Sequence, residues 1–229
     1  MIANNISHLA RPRCLRCLRP HSTCLCRWVV PVWHPVEVLI LQHPLEVDHA
    51  KGTARLLHLS LPNSRLVVGE KWASEALEPL LKAPWPGTAR APQPVLLYPE
   101  TAHAAALQLP APPPWDAAAP GAPAQLRLVV LDGTWRKSRK MLYLNPPLQM
   151  LARLPLHSLP ASRYRIRQAH APGQLSTLEA TCAALAQLDG GAAPLDAVLA
   201  AFDGFVARQL QHRSHAKSPP PAVGAGAAH

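Results

Sequence analysis

Four short runs of the chain are largely apolar, with at most one charged residue each: Val36–Leu41, Arg65–Val68, Val95–Tyr98 and Leu126–Leu131. Successive side chains of a strand point to opposite faces, so a run without alternation needs cover on both sides. The stretches between the runs carry helical spacing: Ala50–Leu61, Ala73–Leu81, Thr101–Leu109 and Thr134–Leu144. Two more helices are predicted at Ser176–Leu188 and Leu195–Gln211. The first of these opens on a capping box, Ser176 followed three residues later by Glu179. Buried strands alternating with helices predict an α/β fold, a mostly parallel sheet with helices on both faces. Arg163–Arg167 reads as one further short strand, which aligns Arg163, Arg165 and Arg167 on one face. The length, 229 residues, fits one such domain with small appendages.

In open α/β sheets ligands bind beyond the carboxyl ends of the strands. That rule brings Gln42-His43, Tyr98-Pro99-Glu100 and Asp132-Gly133-Thr134 to one rim. Behind Asp132 come Trp135 and then four cations, Arg136, Lys137, Arg139 and Lys140. A carboxylate, an aromatic plate and a basic segment suit a site that handles a base and its phosphates. Each residue also has a structural reading. Asp132 can cap the following helix, Trp135 can cover the core, and His43 can be fixed by its own loop rather than act on a ligand. The aligned arginines fit a phosphate or carboxylate better than a core. The chain holds no G-x-x-x-x-G-K-[ST], no G-x-G-x-x-G, no G-x-S-x-G and no H-E-x-x-H. P-loop, Rossmann, nucleophile-elbow and zincin chemistries therefore have no support.

Cys14, Cys17, Cys24 and Cys26 lie within thirteen residues. A segment that short has no core of its own, and four thiolates around one tetrahedral Zn²⁺ close it into a structural knuckle. Disulfides and an iron–sulfur cluster are the rivals; Met1–Arg13 has no apolar signal-like run, which weighs against disulfides. Arg11, Arg13, Arg16, Arg19 and Arg27 crowd this segment, either as a solvated loop or as a rigid phosphate-binding button. Cys182, mid-helix among Ala and Leu, reads as core. The formal charge of +10 favours a polyanionic partner and stays near about +8 with one zinc on four thiolates. No apolar run reaches the roughly 18 residues of a membrane helix, and the chain is expected to be cytosolic.

Taken together, these motifs resemble the DTW-domain family of tRNA-uridine aminocarboxypropyltransferases. The resemblance runs from Cys14-Leu-Arg-Cys17 and Cys24-Leu-Cys26 through Leu41-Gln42-His43-Pro44-x-Glu46 and Gly52-Thr53-Ala54-Arg55. It continues with Leu97-Tyr98-Pro99, the signature Asp132-x-Thr134-Trp135, Tyr164-Arg165-Ile166-Arg167 and Leu175-Ser176-Thr177-Leu178-Glu179-Ala180. Departures are Glu100, Arg136 and Lys137 where smaller residues are usual, and Gln168-Ala169-His170 after the arginines. The resemblance implies a SPOUT-related, knotted fold and transfer of the 3-amino-3-carboxypropyl group of S-adenosylmethionine to N3 of a tRNA uridine. It implies Asp132, Thr134 and Trp135 as catalytic residues. The donor is then assigned to Gln42, His43, Tyr98, Pro99, Gly133, Ser176, Thr177 and Glu179, and tRNA to Arg16, Arg19, Arg136, Lys137, Arg165 and Arg167. Zinc takes the four cysteines. An RNA methyltransferase of the same fold and a non-catalytic zinc-containing RNA-binding protein are the alternatives. The expected layout is a loose leader at 1–13, a zinc knuckle at 14–34 and a catalytic domain at 35–213. Within that domain lies an exposed Pro-rich insertion at 109–124, and a disordered tail follows at 214–229.

Overall fold

A computed structural model of the chain describes residues 12–49, 52–88, 90–99, 111–115, 123–157, 162, 175–189 and 193–217. Its centre is a five-stranded sheet of β1 (Glu37–Gln42), β2 (Ser64–Val68), β3 (Gln93–Leu97), β4 (Leu126–Asp132) and β5 (Ala152–Leu154). The spatial order is β2-β1-β4-β3-β5, and every neighbouring pair is parallel. The helices are α1 (Ala54–Ser60), α2 (Ser74–Lys82), α3 (Trp135–Leu144), α4 (Pro146–Gln149), α5 (Thr177–Asp189) and α6 (Ala193–Lys217). The α/β architecture and its four main strands are thus as the apolar runs predict. β1 and β4, in the middle, are buried along their whole length, whereas β2 at the edge is mostly half-exposed.

Strand alternation divides the core in two. Val38, Ile40, Leu128 and Val130 pack against α1, α5 and α6. Leu39, Leu41, Val129 and Leu131 pack against α2, α3 and α4. The chain therefore leaves β1 toward one face, into α1, and leaves the adjacent β4 toward the other, into α3. This reversal opens a crevice at the carboxyl ends of β1 and β4, the place where open α/β sheets hold ligands.

Some features depart from the sequence reading. β5 is a strand of three residues that the composition of Ala152-Arg153-Leu154 does not announce. The Pro-rich insertion is not wholly exposed, because Trp115 packs against the core on the α1 face. The last helix continues to Lys217, into the segment expected as a tail. The strand expected at 163–167 and the helix expected at 101–109 lie outside the described residues.

At the opposite, amino end of the sheet Arg127 is fully buried. Its Nε donates to Glu37 Oε2 at 2.7 Å, and its two Nη groups donate to the carbonyls of Leu80 and Ala83 at 2.7 and 2.9 Å. The guanidinium also lies over the Trp85 ring at 4.4 Å. All three guanidinium nitrogens have an acceptor, which lowers the cost of burying the ion pair. Glu37→Gln leaves the cation uncompensated and is expected to cost about 3–5 kcal/mol. For a domain of this size the melting temperature then falls by on the order of 10 °C; a scan by circular dichroism checks this.

Candidate active site and metal centre

Asp132 ends β4 and is 6% exposed. By alternation it projects to the same face as Leu128 and Val130, toward α5. Parallel register sets Gln42, the last residue of β1, directly beside it. Gln42 Nε2 donates to Asp132 Oδ2 at 2.9 Å, and Thr177 Oγ1 donates to Oδ1 at 2.7 Å. Both carboxylate oxygens are thus held, Oδ2 by a donor from the neighbouring strand and Oδ1 by a donor from the first turn of α5. The start of α5 is itself rigid. Glu179 N donates to Ser176 Oγ at 3.2 Å and Ser176 N to Glu179 Oε2 at 2.8 Å, the reciprocal box expected from the sequence. Leu178 N donates to Thr53 Oγ1 at 3.3 Å, tying α5 to the entrance of α1.

Asp132 does not cap α3. That place is taken by Thr134, whose hydroxyl accepts from Lys137 N at 3.4 Å. Gly133 between them sits close to two chains: a Cβ there would stand 3.1 Å from Lys137 Cβ and 3.7 Å from His43 Cβ. His43 is buried, and its Nδ1 accepts from Leu45 N at 3.1 Å. The proton of the neutral ring therefore belongs on Nε2, which meets Glu70 Oε1 at 2.8 Å. The His43 side chain is held by its own loop and by Glu70.

Glu70 is a site-rim residue that the sequence reading passed over. Hydrogen bonds from Lys140 and then His43 hold its carboxyl below the usual carboxylate range. Asn145, fully buried, fixes this corner by donating to Glu70 O and accepting from Trp72 N, both at 2.9 Å. The available signal was position: Glu70 follows Gly69 just beyond the carboxyl end of β2, on the same rim as Gln42 and Asp132.

The basic segment divides in two. Lys137 Nζ pairs with Glu46 at 2.7 Å and Lys140 Nζ with Glu70 at 2.9 Å. These pairs brace α3 against the loops after β1 and β2. Arg136 is exposed. Trp135 is 44% exposed and meets Tyr98 edge-on, ring centres 5.9 Å apart, so it is not a core plug. Tyr98 is buried at the end of β3, and Pro99 beside it is exposed. Arg165 and Arg167 lie outside the described residues.

The four cysteines form one cluster, with every Sγ within 4.8 Å of the others. Cys14 and Cys26 are 3.6 Å apart and Cys17 and Cys24 3.7 Å. A disulfide needs about 2.05 Å, whereas thiolates around a tetrahedral metal at about 2.3 Å stand about 3.8 Å apart. The donor set therefore fits a metal ion and not a disulfide. Backbone N–H groups of Cys17 and Arg16 point at Cys14 and lower its thiol to about 6, while burial pushes Cys26 up to about 12. The turn between the first two ligands and Arg19 places Leu18 at φ 60 and closes with Cys14 N donating to Arg19 O at 2.8 Å.

The knuckle is seated on the domain. Cys17 and Leu25 join the core on the α6 side. The Trp28 ring lies where a Cβ on Gly204 would be, 2.2 Å away, so only glycine permits the contact. Arg19 turns inward instead of facing solvent. It is 9% exposed, lies 5.3 Å from the Phe205 ring centre and donates to Gly52 O at 2.7 Å. It supports the seat, and its assignment to RNA is withdrawn on that ground. Arg16 is exposed.

Among the described residues no helix is long and apolar enough to cross a membrane. Residues 11–210 match the DTW domain. The chain is 29% identical over 208 residues to tRNA-uridine aminocarboxypropyltransferase 2 of Macaca fascicularis, an alignment covering 88% of this chain and 65% of that protein. It is 31% identical over 198 residues to tRNA-uridine aminocarboxypropyltransferase 2 of Drosophila melanogaster, covering 78% and 67%. To tRNA-uridine aminocarboxypropyltransferase A of Arabidopsis thaliana it is 26% identical over 151 residues, covering 59% and 52%. The chain thus spans about two thirds of the length of these animal relatives. No solved structure matches it.

Proposed function

The chain belongs to the DTW-domain family, and from that premise we propose that it transfers the 3-amino-3-carboxypropyl group of S-adenosylmethionine to N3 of a tRNA uridine. The observation that carries this reading is Asp132, oriented by Gln42 and Thr177 at the β1/β4 crevice with the exposed Trp135 three residues on.

The donor supplies an electrophilic carbon next to a sulfonium. The N3–carbon bond forms as the carbon–sulfur bond breaks, and sulfur keeps the electron pair, leaving 5′-methylthioadenosine. Uridine N3 attacks only as its proton is lost, and Asp132 is the group assigned to receive or orient that proton. Gln42 and Thr177 hold the carboxylate in one geometry, so the base has to be placed within a narrow range. Trp135 offers a stacking surface for a splayed base. Thr134 acts at the same corner chiefly by setting the start of α3, and Ser176 and Glu179 act by fixing the start of α5. Arg136 and Arg16 are the described, exposed cations assigned to tRNA phosphates, together with Arg165 and Arg167 from the resemblance.

The metal is assigned as Zn²⁺, held by Cys14, Cys17, Cys24 and Cys26. Four thiolates leave it no open position, so its chemistry is structural. The unbonded thiols favour a reducing compartment such as the cytosol.

The test is incubation of the pure protein with labelled S-adenosylmethionine and bulk tRNA, followed by mass analysis of nucleosides. The expected product is an aminocarboxypropyl-uridine, with one methylthioadenosine released per modification. A methylated nucleoside with S-adenosylhomocysteine overturns this reading in favour of a methyltransferase. Salt-sensitive tRNA binding without donor consumption overturns it in favour of a binding protein.

A further inference from the structure

Arg153 lies in β5, in register with Leu96 of β3, and is 7% exposed. Its guanidinium carbon is 5.4 Å from the centre of the Tyr98 ring, so the side chain reaches toward the carboxyl rim of the sheet. Its Nε is buried with no hydrogen-bond partner, and among the described residues no carboxylate pairs with it. The Tyr98 hydroxyl, also buried, lies near the Ser138 side chain but makes no well-formed hydrogen bond. Arg139, half-buried on α3, adds positive charge in the neighbourhood of the same phenol. On its other side Tyr98 meets the edge of Trp135.

Arg127 provides a comparison within the same molecule. It too is buried and lies over an aromatic ring, yet it has Glu37 and two carbonyls. Stacking alone recovers only part of what a guanidinium loses when it leaves water. A buried arginine without an anion is therefore incomplete. The two arginines also differ in place. Arg127 sits at the amino end of the sheet, away from the rim, whereas Arg153 reaches the rim beside Trp135.

We propose that Arg153, with the Tyr98 hydroxyl and the nearby charge of Arg139, is an oxyanion-binding subsite at the carboxyl rim of β3 and β5, taking a carboxylate or a phosphate from a bound substrate. The identity of that substrate rests on the aminocarboxypropyl-transfer reading, which offers two sources. One is the amino-acid carboxylate of S-adenosylmethionine; the other is a backbone phosphate beside the target nucleotide. A planar guanidinium suits both by a two-pronged contact, which lysine does not reproduce.

Titration calorimetry on the full-length, metal-loaded protein distinguishes them. The ligands are S-adenosylmethionine, methylthioadenosine (which lacks the amino-acid end) and bulk tRNA at two salt concentrations. A carboxylate source predicts that Arg153→Met weakens S-adenosylmethionine binding at least about tenfold, with methylthioadenosine unchanged. A phosphate source predicts unchanged donor binding, weaker tRNA binding, and a salt slope smaller by about one. In either case Arg153→Lys and Tyr98→Phe are expected to give smaller losses in the same ligand, and these variants carry the test if Arg153→Met does not fold. Equal loss of S-adenosylmethionine and methylthioadenosine binding, or no change in any ligand with a folded variant, makes Arg153 a packing residue and overturns the proposal. If the unmodified protein forms no aminocarboxypropyl-uridine, the functional reading fails by itself; the subsite is still judged on these affinities.

Discussion

Asp132→Asn is expected to lower aminocarboxypropyl transfer by about 10²- to 10⁴-fold, the range lost with a positioned acid or base, while tRNA affinity changes by no more than about twofold. The reason for the split is physical. RNA affinity comes mostly from cations on phosphates, and Asp132 is a buried acceptor held by Gln42 and Thr177. The asparagine retains the shape of the side chain but turns one acceptor oxygen into an NH₂ group. That group then faces either Gln42 Nε2 or Thr177 Oγ1, two groups that both donate to the native carboxylate. With its oxygen toward Gln42, the asparagine places the NH₂ against the Thr177 hydroxyl, which turns to accept, so both contacts persist and what the variant loses is the charged acceptor. Thr177→Val is the companion variant. It leaves the carboxylate and removes one orienting donor, so its loss of rate is expected to be smaller. Single-turnover formation of the modified nucleoside and tRNA binding by filter retention measure the two quantities. Transfer by Asp132→Asn at close to the native rate would falsify the role assigned to this residue.

Removal of the metal is the second large effect. Structural zinc in knuckle peptides contributes an apparent ~10–16 kcal/mol near neutral pH, which is comparable to the whole stability of an ordinary domain at about 5–15 kcal/mol. Here the ligands are also part of the fold. Cys17 is 2% exposed and packs in the core beneath α6, and Trp28 fills the space over Gly204. Without a metal the cluster brings several thiols together in a half-buried site with little to hold them. Chelation, or Cys17→Ser, is therefore expected to release the knuckle from α6 and to lower the melting temperature by more than the Glu37→Gln change does. Metal analysis is expected to give one equivalent per chain, restored together with the melting temperature on adding Zn²⁺. An unchanged thermal transition after complete removal of the metal would contradict a structural centre.

Much of the architecture was legible in the order of residues because it follows from local rules. The apolar runs Val38–Leu41 and Leu128–Leu131 read as central strands, since neither face of either run tolerates water. Ser176 and Glu179 form their box because a helix start leaves N–H groups that only nearby side chains reach. The spacing of Cys14, Cys17, Cys24 and Cys26 is local for the same reason: a short loop can close on one ion. β5 was not legible. Three residues, one of them a buried arginine, make no periodic signal, and Arg153 enters the sheet only because β3 presents an open edge. The basic segment after Asp132 was legible as charge but not as contact. Lys137 and Lys140 meet Glu46 and Glu70, which are 91 and 70 residues away in the chain. Arg19 was misjudged as a surface cation for a related reason, since its partner Gly52 lies 33 residues on.

By itself the sequence determined the parallel α/β class, the cysteine cluster, the capping box at Ser176 and Glu179 and the placing of Asp132 at a strand end, all of which depend on spacings of a few residues. The tertiary structure decided what those parts meet. Only the β1–β4 register sets Gln42 against Asp132, and only the packing of α5 brings Thr177, 45 residues downstream, to the other oxygen. Which buried charge is paired, as Arg127 is, and which is left open, as Arg153 is, was likewise settled by long-range packing. The physical reason is that hydrophobic pattern and turn chemistry act over one or two turns of chain, whereas a hydrogen bond across the sheet exists only after the strands have found their order.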